Sequence, residues 1–316
     1  MSTIIRQIAI CLGLVVLLDL PASFAGQKFA IVVGVNDSPG FRLPGGARAR
    51  PLAGAERDAE AFTQLLRERF GFPAERIQIL QGKAATREAV AIAMAKVLKE
   101  AADPEDQVVF YFSGHGTQLA DRAPLDEPDE LDEALCLFDT EASGANTLVD
   151  DELGRWLDAL PARRATVVLD CCHSGTGTKE LGDDVIARYL PSVSSTSEQV
   201  AQGGQRSMSW IELLGGQKSL DRQRTAFFAC QPNQQAYERR LLELKPVERR
   251  GQFSYYLASS FTNTAADRDA NGIVSNREAL EFVQSQLDKS FNKLRSQPQD
   301  RQQPALEADR PDESPF

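Results

Sequence analysis

Two histidines occur in the 316 residues, and each follows an apolar run that ends in small residues. His115 closes Val108-Val109-Phe110-Tyr111-Phe112-Ser113-Gly114-His115-Gly116, and His173 follows Thr166-Val167-Val168-Leu169-Asp170-Cys171-Cys172. A thiol is a weak nucleophile until it loses its proton, so an imidazole that can take that proton is the minimum machinery. Cys172 and His115 supply the pair. His173 is the competing base, but consecutive residues on an extended chain diverge and its ring rarely reaches its predecessor's side chain. Zinc ligation is the other use of cysteine and histidine; contiguous Cys171-Cys172-His173 suits tetrahedral coordination badly, and no spaced cysteine pair occurs elsewhere.

Asp170 lies two residues before Cys172 and therefore points to the same side of an extended strand. A carboxylate there opposes thiolate formation, so its better use is to bind a cationic substrate side chain. Ser113 stands in the same relation to His115 and can line the same pocket.

These residues need a scaffold that brings two strand ends together. Continuous β-branched and aromatic runs read as strands buried on both faces, as in a parallel sheet, where chemistry gathers at the carboxyl ends of the strands. Lys28 to Val35 and Ile77 to Leu80 read as further strands, as do Ala134 to Phe138 and Thr225 to Cys230. Helical spacing of apolar residues predicts helices over Gly54 to Phe70, from Thr86 (a cap) to about Ala101, over Asp151 to Leu160, over Phe253 to Phe261 and from Arg277 to Leu294. Strands alternating with helices predict right-handed crossovers and a mainly parallel sheet between helical layers.

Residues 1–25 read as a signal peptide: Arg6, the apolar stretch Ile8 to Leu18, interruption by Asp19 and Pro21, then Ser23-Phe24-Ala25. Its removal predicts a periplasmic or secreted protein with no stable membrane anchor. The formal charge of −10 argues against nucleic acid as a partner, which needs a cationic surface, and is compatible with basic substrates. Cys136 and Cys230 read as small buried hydrophobes. Residues 178–224 dissolve into serine, glycine, glutamine and charge and read as a flexible linker, with basic residues Lys179, Arg188, Arg206, Lys218, Arg222 and Arg224. Residues 298–316 read as a mostly mobile tail.

One further motif offers metal chemistry. Asp267, Asp269, Asn271, Ser275 and Glu278 occupy positions 1, 3, 5, 9 and 12 of a twelve-residue loop with Gly272 at position 6, between predicted helices. That is the EF-hand pattern for calcium; a capped turn entering a helix is the alternative.

At Tyr111-Phe112-Ser113-Gly114-His115-Gly116-Thr117-Gln118, Asp126 to Asp132, Leu135-Cys136-Leu137-Phe138-Asp139, Asp150-Asp151-Glu152-Leu153 and Asp170-Cys171-Cys172-His173-Ser174-Gly175 the chain resembles the metacaspases within the caspase-like cysteine peptidases. Phe227-Phe228-Ala229-Cys230-Gln231 continues the match. The resemblance implies an α/β fold, a caspase-like three-layer sandwich with a mainly parallel central sheet. It also implies a large-subunit-like catalytic region over 26–177 and a small-subunit-like region over 225–297 that carries the EF-hand-like loop. His115 is implied as general base, Cys172 as nucleophile, and the amides of Gly116 and Cys172 as the oxyanion hole. Asp58, Ser113 and Asp170 match an acidic pocket that takes arginine or lysine at P1. The resemblance thus implies a cysteine endopeptidase acting on proteins or peptides, self-processing and calcium-dependent, and a monomer is expected. The chain departs from the family pattern at Cys171, at Pro232-Asn233, where two acids are common, and at Lys179, near an expected calcium ligand. Asp129, Asp132, Asp150 and Asp151 remain as acidic candidates. The rival reading is a caspase-fold binding module that keeps the motif without turnover.

Overall fold

The computed structural model describes residues 26–43, 45–120, 131–172, 185–191, 222–232, 234–244, 246–294 and 301–316. The signal-peptide segment, His173, Asp126, Asp129 and most of the linker lie outside these residues.

Alternating contacts along the apolar runs build two layers onto one sheet. Strands β1 (Lys28–Gly34), β2 (Ile77–Gln81), β3 (Gln107–Ser113), β7 (Arg164–Asp170), β9 (Gln223–Phe228) and β12 (Ala305–Ala308) form a six-stranded sheet in the order β12-β9-β7-β3-β1-β2. Every pairing is parallel except β12 with β9. Phe29, Ile31, Val33, Phe110, Phe112, Val167 and Leu169 face one side and pack with helices α2 (Arg87–Glu100) and α3 (Asp150–Ala159). Ala30, Val32, Val109, Tyr111 and Val168 face the other, against α1 (Ala55–Glu68), α4 (Gln252–Ser260) and α5 (Asn276–Leu294). Residues two apart on a strand share a face, so each continuous run feeds both cores. The result is a three-layer α/β sandwich.

Local sequence explains the helix boundaries. Thr86 accepts a hydrogen bond from the Ala89 amide and caps α2, a contact that typically contributes about 1 kcal/mol. Helix α1 packs so closely on β1 that a Cβ at Gly34 would sit 2.8 Å from that of Ala59.

Three expectations need correction. The strand predicted at Ala134 to Phe138 is not in the main sheet: β5 (Leu131–Cys136) pairs antiparallel with β4 (Gly116–Ala120) and β6 (Thr147–Val149) in a separate small sheet. The segment 298–316 is not a mobile tail over its described residues 301–316. Here β12 pairs with β9, Thr166 Oγ1 donates to the Pro315 carbonyl at 2.7 Å, and Phe316 packs against Phe62, Phe70 and Phe261. Nor is the whole linker free of structure. Residues 185–187 form β8, which pairs antiparallel with β10 (Tyr237–Leu241), itself paired with β11 (Glu248–Gly251).

Candidate active site

The ends of β3 and β7 lie side by side, with Ser113 in register with Asp170. The residues just past those ends, His115 and Cys172, therefore reach the same carboxyl edge of the sheet. His115 Nε2 lies 3.2 Å from the Arg50 carbonyl. A carbonyl only accepts, so that contact places the proton on Nε2 and leaves Nδ1 with a lone pair. Nδ1 is buried and has no hydrogen-bond partner among the described residues. Burial lowers the His115 pKa to about 4 and pushes the Cys172 thiol up to about 12. Both groups are neutral in this arrangement. Cys171 packs in the α2/α3 core, on the opposite face from Cys172, and burial likewise raises its pKa. Cys136, Cys171, Cys172 and Cys230 are all buried.

Arg188 fills the centre of the site. Its side chain is fully buried, with Nη2 2.7 Å from Asp58 Oδ2 and Nη1 3.1 Å from Asp170 Oδ2. Glu238 Oε2 stands 3.8 Å from Nη2, and Nη1 donates to Ser113 Oγ at 2.5 Å and to the Asp170 carbonyl at 3.0 Å. The main chain of Arg188 is held as firmly: its carbonyl accepts from the Gly116 amide at 3.0 Å and the Cys172 amide at 3.2 Å, and its own amide donates to the Ala236 carbonyl at 2.9 Å. Ala187, Ile186 and Val185 continue the ladder opposite Tyr237, Glu238 and Arg239. This is an extended segment added to a sheet edge, with main-chain bonds fixing it and one side chain in a deep pocket.

The pocket is built to hold that charge. Asp58 Oδ1 accepts from Arg250 Nε at 2.6 Å and Asp58 Oδ2 from the Gly251 amide at 2.8 Å. Glu238 is fixed by the Ala53 and Gly54 amides at the start of α1, and Asp170 Oδ2 by the Ser254 amide at 3.1 Å. Asp170 Oδ1 has no partner among the described residues, and burial raises the Asp170 pKa against the opposing pull of Arg188. A Cβ at Gly251 would come within 2.2 Å of Asp170 Oδ2 and 2.7 Å of Arg188 Cζ, so this wall must be glycine for the guanidinium to fit.

Residues 27–314 match the caspase-domain peptidase family. The chain belongs to that family. Metacaspase-3 of Arabidopsis thaliana is 35% identical over 165 residues, covering 50% of this chain and 42% of that protein. Metacaspase-1 of Pyricularia oryzae is 31% identical over 205 residues, covering 62% of this chain and 46% of that protein. The chain thus spans less than half the length of these curated relatives. The solved structure of a Geobacter sulfurreducens protein superposes with a TM-score of 0.57 at 26% identity, covering 89% of this chain and 93% of the other.

Within this caspase fold, the structure brings His115, Cys172, Asp58, Ser113, Asp170 and the Gly116 amide into one site. Sequence reasoning missed Glu238, Arg250 and Gly251, and it left Arg188 among the linker's basic residues. Glu238 supplies a pocket carboxylate although Pro232 departs from the family's acidic pair. Its only sequence signal is an acid inside the short run Tyr237-Glu238-Arg239-Arg240, which reads as a solvated face.

The acidic loop lies apart from this site. Asp267, Asp269 and Glu278 each offer a carboxylate oxygen within 4.8 Å of the others. Ser275 caps α5 reciprocally: its Oγ accepts from the Glu278 amide, and its own amide donates to Glu278 Oε2 at 3.0 Å. Asn271 Nδ2 donates to Asp269 Oδ2 and Asn271 Oδ1 accepts from Ile273. The helix predicted over Phe253 to Phe261 is α4, which ends at Ser260, and turns fill residues 261–266 before the acidic loop. Among the described residues, no helix is long and apolar enough to cross a membrane.

Proposed function

We propose that this chain is a cysteine endopeptidase that cuts proteins or peptides after arginine or lysine. One observation carries the reading: Arg188 has its guanidinium among three carboxylates while its carbonyl oxygen lies between the Gly116 and Cys172 amides. The side-chain contact gives P1 specificity. The main-chain contact is where charge develops when a nucleophile attacks a peptide carbonyl.

In this mechanism His115 Nδ1 takes the proton from Cys172, and Sγ adds to the P1 carbonyl carbon. The oxyanion is held by the two amides, and loss of one such donor typically costs about a hundredfold or more in kcat. His115 then protonates the leaving amine as the carbon–nitrogen bond breaks, leaving a thioester. Water attacks the thioester with His115 as base, releasing the new carboxylate and restoring the thiol.

The same geometry supports self-processing at Arg188–Tyr189. Arg224, another basic residue assigned to the linker, is instead held in β9 and buried. Incubating the purified protein and sequencing new N-termini tests the proposal; a terminus at Tyr189 in wild type and none in Cys172→Ala is the expected result. The same cut in Cys172→Ala would overturn it. The covered site also suits the rival reading of a silent module. Hydrolysis of a P1-arginine peptide far faster than its P1-aspartate analogue, abolished by iodoacetamide, separates the two.

Calcium belongs to the proposal as a stabilising ligand of Asp267, Asp269 and Glu278, with Asn271 and Ser275 as further oxygen donors. The oxygen spacing fits a hard cation, which would neutralise the cluster and tie the loop to α5. Export follows from the composition of residues 1–25; N-terminal sequencing of periplasmic or culture-medium protein, expected to begin at Gly26, tests it.

A further inference from the structure

Arg188 is one of three consecutive inward-facing residues on its segment. Ile186 packs against Leu52 and Ala55, and Leu190 packs with Phe41, Ala49 and Cys136, flanked by Leu43. These residues are two apart, as an extended chain requires for one face. The hydrogen bonding continues beyond the bond after Arg188: the Leu190 amide donates to the Gly116 carbonyl at 2.8 Å, and Tyr189 bridges Gly116 in parallel register. Thus the chain holds an extended peptide on both sides of the bond next to Cys172.

We propose that this site recognises substrates across the cut bond. It takes an aliphatic side chain two residues after the bond (P2′) in the pocket of Phe41, Leu43, Ala49 and Cys136. It takes a second aliphatic side chain at P3, over Leu52 and Ala55. The inference rests on the peptidase reading and adds to it a substrate class: aliphatic-X-Arg, then X-aliphatic.

Three features make the P2′ pocket a site. Its walls at Phe41, Leu43, Ala49 and Cys136 are apolar, so an acidic or amidic P2′ residue would lose its hydration against them. Its walls come from different parts of the chain: the turn that joins Arg42 to Arg48 by a bridge, and the end of β5. Finally, the same turn leads into Arg50, whose carbonyl holds His115, so prime-side recognition and the proposed base share one support.

The test uses internally quenched peptides based on Val-Ile-Ala-Arg-Tyr-Leu, with leucine, alanine or aspartate at P2′ and isoleucine or aspartate at P3, incubated with the wild-type protein. Leucine should exceed alanine at P2′ by roughly 10- to 100-fold in kcat/KM, the scale on which apolar pockets discriminate, and aspartate should be poorer still. Ala49→Leu, which fills the pocket, should reduce or reverse the leucine-over-alanine ratio. Phe41→Ala, which enlarges it, serves as a second probe and should weaken the ratio from the other direction. Cleavage after arginine at equal rates for all three P2′ residues overturns this inference and leaves the peptidase reading standing. Cleavage of none of the peptides overturns both.

Discussion

Two places in the molecule gather three carboxylates, and they solve the repulsion differently. Asp58, Asp170 and Glu238 are fully buried and surround a guanidinium supplied by the chain itself. Asp267, Asp269 and Glu278 lie in a largely exposed loop, where backbone amides of Arg268, Asp269, Asn271, Gly272 and Ser275 accept the task. The pKa values move in opposite senses: burial raises that of Asp170, whereas the Ser275 amide and its neighbours lower that of Glu278. A buried acid cluster needs a cation to be tolerable, while an exposed one can be held by turns and accept a cation as an addition. The first is a site that must be filled, the second one that can be.

The strongest way to break this contrast is to remove the buried cation. In a Cys172→Ala background, Arg188→Met should destabilise the protein by about 3–5 kcal/mol in urea unfolding, because Asp170 and Glu238 stay buried without their cation while Asp58 keeps only Arg250. A loss below about 1 kcal/mol would mean that the pocket does not depend on its occupant. Next in size is substrate binding: Asp170→Asn should lower kcat/KM for P1-arginine peptides by roughly 10- to 150-fold, corresponding to about 1.5–3 kcal/mol for one charge-assisted contact. Unchanged arginine preference would remove Asp170 from the pocket's function.

The exposed cluster should respond more gently. Calcium at about a hundred times its dissociation constant should stabilise the wild type by roughly 2.7 kcal/mol, read as a rise in melting temperature. Asp267→Asn and Asp269→Asn should shrink the rise, and a wild type indifferent to calcium would leave the loop as a capped turn. The smallest effect concerns acid. The lowered pKa of Glu278 gives stability that is fully present above the ordinary carboxylate value of about 4.3 and is lost as pH falls through the folded value. Without calcium, the stability gap between wild type and Glu278→Gln should therefore narrow from pH 7 to pH 3. A gap that stays constant or widens would contradict the amide bonding around this carboxylate.

Much of the scaffold was legible because the central strands carry their own pattern. Val108 to Ser113 and Ala165 to Asp170 are long enough to mark buried strands, and their adjacent ends put His115 near Cys172. The helices betrayed themselves by spacing and by the Thr86 cap. Short or conditional elements were not legible. Val185-Ile186-Ala187 is three residues inside a polar stretch, and it is a strand only because β10 offers an edge. Glu238 looks solvated in sequence, since nothing local announces the amides of Ala53 and Gly54, nearly two hundred residues earlier in the chain. Likewise, Ala305 to Ala308 has little strand character of its own and takes that form by pairing with β9. The twelve-residue loop was readable as a turn that gathers acids, and the apolar spacing of Phe253 to Phe261 already stopped α4 short of it.

Strand β12 gives the molecule a guarded flank. Both sides of β9 are engaged, by β7 on one side and β12 on the other. A second copy seeking to extend the sheet through β9 would first have to peel β12 away, taking with it the Gln302 side chain bonded to the Ala229 carbonyl and the aromatic cluster around Phe316. What faces outward instead is a four-residue strand with Pro304 before it, a poor template for stacking chains edge to edge. The late segment that read as a mostly mobile tail in sequence works as a built-in bumper on the β9 side of the sheet.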